Sequence, residues 1–317
     1  MAVMKAPSLP RNAGLAGVIT TSDLLGLGVT ASALRTLTRR GELRSLGRGA
    51  YATKQLAEWL AAVPAGDVLL RAAGAIATAG PGSVVSHHTA AQIHGLQMYA
   101  KAPAPVQITR PPGLGSKSGK PGVQVHTARL PDSHVGVRLI VPVTSVARTV
   151  VDLARASAFS AGVVVADSAL RQKLASRRDL RAVVADCMKW PGIKNAAKVV
   201  EFADAAAESP LESLARVVFA EGGLRPPQLQ VEISDGEFIG RVDFLWPEYR
   251  TIVEVDGAIK YAIDPARARD QLRRDSRLRR AGYELEHFEW RDIIHHADQV
   301  VALTWAACQR GAHRAGS

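Results

Sequence analysis

The stretch RVDFLWPEYRTIVEVDGAIKY, Arg241 to Tyr261, constrains this chain more than any other. Two runs rich in β-branched and aromatic residues flank Pro247-Glu248-Tyr249, so the segment reads as two strands folded back on each other. Residues two apart in a strand point the same way. Asp243 therefore shares a face with Arg241 and Leu245, and Glu254 shares one with Ile252 and Asp256, opposite Val253 and Val255. Once the strands pair, three carboxylates converge. Such a cluster repels itself and is costly to bury without cations, and a divalent metal with oxygen ligands is an efficient partner. Lys260, just beyond Gly257, is within reach of the same pocket.

The flanking residues extend this to a domain. In SPLESLARVVFAEGGL, Ser209 caps a helix, Pro210 occupies its first position, Glu212 follows three residues after the cap, and Gly222-Gly223 stops it. Strands QLQVEI, FIGRVDFLW and RTIVEVDG come next, then a basic helix from Pro265 to Ala281, the strand YELEHFEW and a closing helix. The order αβββαβα makes an α/β sandwich, with a boundary before it near Ala205 to Glu208. Glu212 has two readings, half of a capping box with Ser209 or a member of the acidic site. The arginines at 267, 269, 273, 274, 277, 279 and 280 track phosphates or form a solvated helix face.

At the other end, GVITTSDLLGLGVTASALRTLTRRGELRSLGRGAYAT (Gly17 to Thr53) holds two short helical patterns around a glycine-bearing turn, the pattern of a helix-turn-helix. Thr21 or Ser22 caps the first helix. Thr30 opens the second, with Ala33, Leu34 and Leu37 at helical spacing and Ser32, Arg35, Thr36, Arg39 and Arg40 on its polar side. Such side chains read base edges and phosphates from the major groove. A two-stranded wing follows, Leu43 to Leu46 and Ala50 to Thr53, exposing Arg44 and Arg48.

Between the ends, helices alternate with short strands. RPPGLGSKSGKPG, Arg110 to Gly122, suits a flexible hairpin tip. His87, His88 and His94 have no acidic neighbour and read as packing and capping histidines rather than metal ligands. Arg148 and Asp152 stand at i, i+4 and suit an internal ion pair.

Composition enters as a limit on partners. A net charge of +11 favours an acidic one, nucleic acid first, with a merely solvated basic surface as the alternative. A hydrophobic content of 47% is ample for two or three globular modules. No apolar run approaches the roughly 20 residues of a membrane span, and Met1 to Ala13 lacks the apolar core of a secretory signal, so the expected compartment is the cytoplasm, with no membrane partner. Cys187 and Cys308 read as ordinary thiols.

The N-terminal half resembles the AbiEi-type antitoxin family, on the winged-helix stretch quoted above, SVVSHHTAAQIHGL and VPVTSVARTVVDLA. The resemblance implies a winged helix joined to a second α/β domain, operator binding and autoregulation, with a cognate toxin or its operator as partner. The C-terminal module resembles the PD-(D/E)XK nuclease superfamily, in the branch related to very-short-patch-repair endonucleases, on SPLES, RVDFLWPEYRTIVEVDGAIKY and RRDSRLRRAGYELEHFEWRDI. That resemblance implies Asp243 and Glu254 as metal ligands, Asp256 and Glu212 as further acidic members and Lys260 as a displaced catalytic lysine. Mg²⁺, or Mn²⁺ in its place, would serve phosphodiester hydrolysis. The sequence departs from the pattern where Val242 rather than proline precedes Asp243, and where Asp256 stands at the expected lysine; it also lacks the zinc cluster of the repair enzymes.

The expected architecture is a multidomain α/β protein: a winged helix over 1–55, an AbiEi-like middle domain over 56–205 and a PD-(D/E)XK-like sandwich over 206–317. Two functions are compatible with it. One is a metal-dependent DNA endonuclease in defence or repair, and the other a non-catalytic transcriptional repressor, antitoxin-like, whose nuclease-like domain is inactive.

Overall fold

The computed structural model describes residues 17–47, 49–99, 105–113, 122–256 and 265–315, the side chains of 265–268 and 315 excepted. Arg48 and Lys260 lie outside the described residues. The chain forms two compact units, one holding residues up to Ser157 together with Ala175–Ala197, the other Ala158–Leu174 together with Lys198–Ser317. No helix among the described residues is long and apolar enough to cross a membrane.

In the first unit, β1 (Val18–Thr20), α1 (Thr21–Gly26), α2 (Ala31–Arg39), β2 (Leu43–Gly47) and β3 (Ala50–Thr53) build a winged helix whose strands lie in the order β1-β3-β2, all antiparallel. The cap of α1 is Thr20, one residue before the positions expected, because Asp23 completes a reciprocal capping box with Thr20. Thr30 caps α2 through the Ala33 N–H.

α3 (Lys54–Ala61) and α4 (Gly66–Ala77) follow, and one apolar core runs from Val18 and Ala52 through Leu56, Leu60 and Leu69 to Val85, Ile108 and Val143. Gly74 sets how closely α4 approaches the wing, since a Cβ there would lie 2.6 Å from Leu46 Cβ.

β4 (Val84–Val85), α5 (His87–His94), β5 (Val106–Arg110), β6 (Val123–Thr127), β7 (Val135–Arg138) and β8 (Val141–Thr144) make a mixed five-stranded sheet in the order β6-β5-β4-β8-β7. The hairpin tip expected over Arg110 to Gly122 falls largely on residues 114–121, outside the described residues. The strands on either side, β5 and β6, pair parallel and not as an antiparallel hairpin, Val106 opposite Val123 and Arg110 opposite Thr127. Glycine and proline signal that the chain leaves a sheet but not the direction in which it re-enters. α6 (Val146–Ala156), capped by Ser145, closes this part. After α7 (Phe159–Arg171), which belongs to the second unit, α8 (Arg177–Asp186) packs against α6. α9 (Ile193–Phe202) then leads back out of the first unit.

The second unit continues with α10 (Pro210–Glu221), β9 (Gln228–Ser234), β10 (Phe238–Trp246), β11 (Thr251–Asp256), α11 (Pro265–Arg280), β12 (Glu284–Glu289), α12 (Trp290–His295) and α13 (Ala297–Ala315). β9, β10 and β11 form an antiparallel meander, and α11 crosses over to place β12 parallel to β11, giving the order β12-β11-β10-β9. Leu278 of α11 packs with Val242, Leu245, Ile252 and Leu285. Elsewhere in the unit, Phe219 of α10 meets Phe244 and Trp246 edge-on at 5.2 Å. Helices and sheet thus enclose an α/β sandwich core.

Candidate functional site

Two surfaces concentrate chemistry. The first is the polar side of α2. Ser32, Arg35, Arg39 and Arg40 are exposed, while Leu34 and Leu37 are half-buried toward the body of the winged helix. Thr36 is half-buried and its hydroxyl donates to the Ser32 carbonyl at 3.1 Å. Arg44 on the wing lies 3.5 Å from Asp67, with both side chains largely exposed, a contact that screening keeps weak and that a phosphate can displace.

The second surface is built where β9, β10, β11 and β12 lie side by side. Phe244 faces Val253 and Leu245 faces Ile252, so one step further in the same register sets Asp243 opposite Glu254. Asp243 Oδ2 accepts the Val255 N–H at 3.0 Å, and Oδ1 accepts from Gln230 Nε2 at 3.1 Å. The same amide donates to Glu212 Oε2 at 2.9 Å, tying α10 to the sheet. Glu212 also accepts from Ser209 Oγ and the Glu208 N–H, so its capping role and its place beside Asp243 coexist. Burial pushes the Asp243 carboxyl up to about 6, and the charges of Glu212 and Glu254 add to the rise, against the opposing hydrogen bonds from Val255 and Gln230.

Glu254, 6% exposed, is met by a cation from α11. Arg274 Nη1 donates to Oε2 at 2.8 Å; Nη2 lies 2.7 Å from Oε1 without hydrogen-bond alignment, and donates to the Arg241 carbonyl instead. Gly240 leaves the lane this side chain occupies, since a Cβ there would fall 2.4 Å from Arg274 Nε. Gln271 bridges Glu254 and Asp275. His287, directly beside Glu254 in the parallel register, lies 3.0 Å from Asp275 Oδ2 and 3.7 Å from Asp256 Oδ2. The Asp256 contact first, then the charges of Asp275 and Glu254, hold its imidazole above the ordinary value, against its partial burial.

The structure therefore brings Asp243, Glu254, Asp256 and Glu212 into one polar network, with Gln230, Gln271, Asp275 and His287, which the sequence did not single out as a site, and Arg274, expected to track phosphate or sit on a solvated helix face and found instead against Glu254. His287 carried a signal, since it stands among the acids of YELEHFEW, next to Glu286 and two residues before Glu289. Carboxylate oxygens are hard donors of the kind Mg²⁺ takes. As arranged, however, they do not complete a metal site: among the described residues no three His, Cys, Asp or Glu side chains are grouped to hold an ion, and Arg274 neutralises Glu254. His87, His88 and His94 make no metal cluster there either. His88 Nδ1 meets the Gln107 side chain and His94 Nε2 meets the Thr144 carbonyl.

The raised Asp243 carboxyl has a measurable consequence. The native group keeps its proton up to about pH 6, whereas the unfolded carboxyl releases it near 4. Between those values the native state binds more protons, so this group's contribution falls as pH rises through the window and is unfavourable above it. Asp243→Asn keeps an acceptor for Val255 and carries no charge. It is expected to be more stable than the parent by about 2 kcal/mol at neutral pH, and to lose the advantage near pH 4. Urea denaturation at both ends of the window checks this.

Comparison with known proteins adds three findings. Residues 9–54 match the family described as transcriptional regulator, AbiEi antitoxin. Two uncharacterized proteins of Mycobacterium tuberculosis, MT2308 of strain CDC 1551 / Oshkosh and Rv2248 of strain ATCC 25618 / H37Rv, are each 34% identical to this chain over 143 residues, 45% of this chain and 52% of the relative. The chain thus spans about half the length of the curated relatives it matches. The crystal structure of the Rv2827c protein from Mycobacterium tuberculosis is 18% identical, with a TM-score of 0.36, over 62% of this chain and 74% of that one.

Proposed function

We propose that this protein is a DNA-binding transcriptional regulator of the AbiEi antitoxin kind, whose winged helix reads an operator through α2. The observation that carries this reading is the exposed basic side of α2, Arg35, Arg39 and Arg40 with Ser32, in the segment that matches the antitoxin regulator family. The wing supplies Arg44 as a phosphate contact, and the net charge of +11 supplies the long-range attraction. Autoregulation, with a toxin as partner, extends this reading to the antitoxin role that the family's description names.

A second reading is favoured by one specific feature. Asp243 and Glu254 are cross-strand neighbours on β10 and β11, in an element order, αβββαβ, that resembles that of a PD-(D/E)XK nuclease. In this reading they would bind Mg²⁺ or Mn²⁺ for phosphodiester hydrolysis, with Asp256, Glu212 and Lys260 around them. It requires Arg274 to release Glu254.

One experiment separates the two. Purified protein is footprinted on its own upstream DNA, and incubated with plasmid and single-stranded DNA in Mg²⁺, Mn²⁺ or EDTA. A regulator protects a discrete site and cuts nothing. Arg35→Ala and Arg39→Ala should each weaken that binding by about tenfold, with a shallower salt dependence where the lost contact is to phosphate. Unchanged binding by both variants across salt concentrations would remove α2 as the reading helix. Metal-dependent cleavage lost in Asp243→Ala and Glu254→Ala would establish the second reading.

A further inference from the structure

The first unit contains a cavity of about 410 Å³ that plays no part in the DNA-binding reading, walled by His87, Thr109, His126, Arg129, Arg155 and Trp190 among others. We propose that it is a binding site for a small phosphate-bearing ligand.

The wall is rich in donors and poor in acceptors. Its carboxylate, Asp152, is already spent, accepting from Arg148 Nε at 2.8 Å and Arg155 Nη1 at 3.1 Å. Against that single negative charge stand three guanidinium groups, of Arg129, Arg148 and Arg155. Arg148 is 1% exposed and further held by the Arg129 carbonyl and His134, while Arg129 is exposed at the rim. Trp190 fixes the other two, with guanidinium carbons 4.5 and 5.0 Å above its ring.

The histidines add neutral donors. His87 and His126 stack at 3.7 Å with an interplanar angle of 18°. Burial first, then the neighbouring His126, Arg148 and Arg155, drives the His87 imidazole down to about 2, so it is uncharged. Thr109 donates to Ser86 Oγ at 2.8 Å, and Ser86 lies 2.9 Å from His87 Nδ1. With the Ser86 proton directed to Nδ1, the ring carries its own proton on Nε2.

Two features mark the place as more than packing. His87 holds φ at +51°, a strained value for a residue with a Cβ. His126 Nε2 is buried with no hydrogen-bond partner, an uncommon state for a native polar atom. A tetrahedral dianion accepts from several directions at once, which suits donors spread over α5, β6, α6 and the loops beside them. The volume leaves room for a group beyond the phosphate itself.

The test is calorimetric titration of the full chain at constant ionic strength with inorganic phosphate and, separately, adenosine monophosphate. The variants are Arg129→Ala, at the exposed rim, His126→Phe, which keeps the stack and removes the ring nitrogens, and Arg279→Ala, a basic position outside the cavity. The expected result is one saturable site of about millimolar affinity or better, tighter for the ester than for free phosphate. It should weaken about tenfold in Arg129→Ala and in His126→Phe while Arg279→Ala binds as wild type. No binding of either probe up to about 10 mM would overturn the proposal. So would an equal loss in Arg279→Ala, the result of nonspecific attraction to a basic protein, or wild-type binding by both cavity variants. Displacement of the probe by duplex DNA with the same dependence on Arg129 would assign the phosphate to a DNA strand and overturn the small-ligand proposal.

Discussion

Arg274→Ala is expected to lower the stability of the second unit by about 3 kcal/mol at neutral pH. Its guanidinium is the cation that meets Glu254, a carboxylate that also faces Asp243 and lies near Asp275 and His287. Truncation leaves Glu254 buried and without a matched charge, the situation in which removing one partner of a buried pair is most damaging. The side chain of Arg274 is 19% exposed, so water screens part of the loss and the low end of the usual 3–5 kcal/mol range applies. Denaturant unfolding measures it. Glu254→Gln in the Arg274→Ala background should restore most of the loss, because the uncompensated charge is then gone. A restored stability on adding Mg²⁺ to Arg274→Ala, absent in the double variant, would support the metal-dependent reading. A loss under 1 kcal/mol would mean the carboxylates are less dependent on this cation than their geometry indicates.

Asp152→Asn should have the larger effect, about 4 kcal/mol. Asp152 and Arg148 are each 1% exposed, and the carboxylate also serves Arg155. Removing its charge leaves two guanidinium groups against one indole face with no anion between them. The pair is local in sequence, four residues apart on one helix, but its strength comes from burial beneath Trp190. Arg148→Met with Asp152→Leu, which removes both charges and fills the volume, should recover more than half of the loss. If phosphate rescues Asp152→Asn more strongly than wild type in a thermal melt, the anion site inferred for the cavity gains independent support.

Much of this protein was determined by the sequence alone, because the determining interactions are local. The helix begun by Ser209, Pro210 and Glu212, the cap at Thr30, the exposed arginines of α2 and the strand pair around Pro247 are set by residues within a turn or a hairpin of each other. The ion pair of Arg148 with Asp152 belongs to the same class. The convergence of Asp243 and Glu254 follows from strand periodicity once the hairpin closes.

Tertiary structure decided the rest. The parallel pairing of β5 with β6 is invisible in turn residues, which encode a departure and not a return. Gln230, Arg274 and His287 reach the acids from a neighbouring strand, a crossover helix and a parallel strand. Their distance in sequence is 20 residues or more from Glu254 in each case, as the numbering shows. A lone cluster of acids left the identity of its cation open, and packing of α11 over Gly240 answered it with an arginine. The cavity walled by His87, His126 and Trp190 joins residues from separate helices, strands and loops. No spacing rule encodes such a site, because it exists only where several elements fail to fill the volume between them.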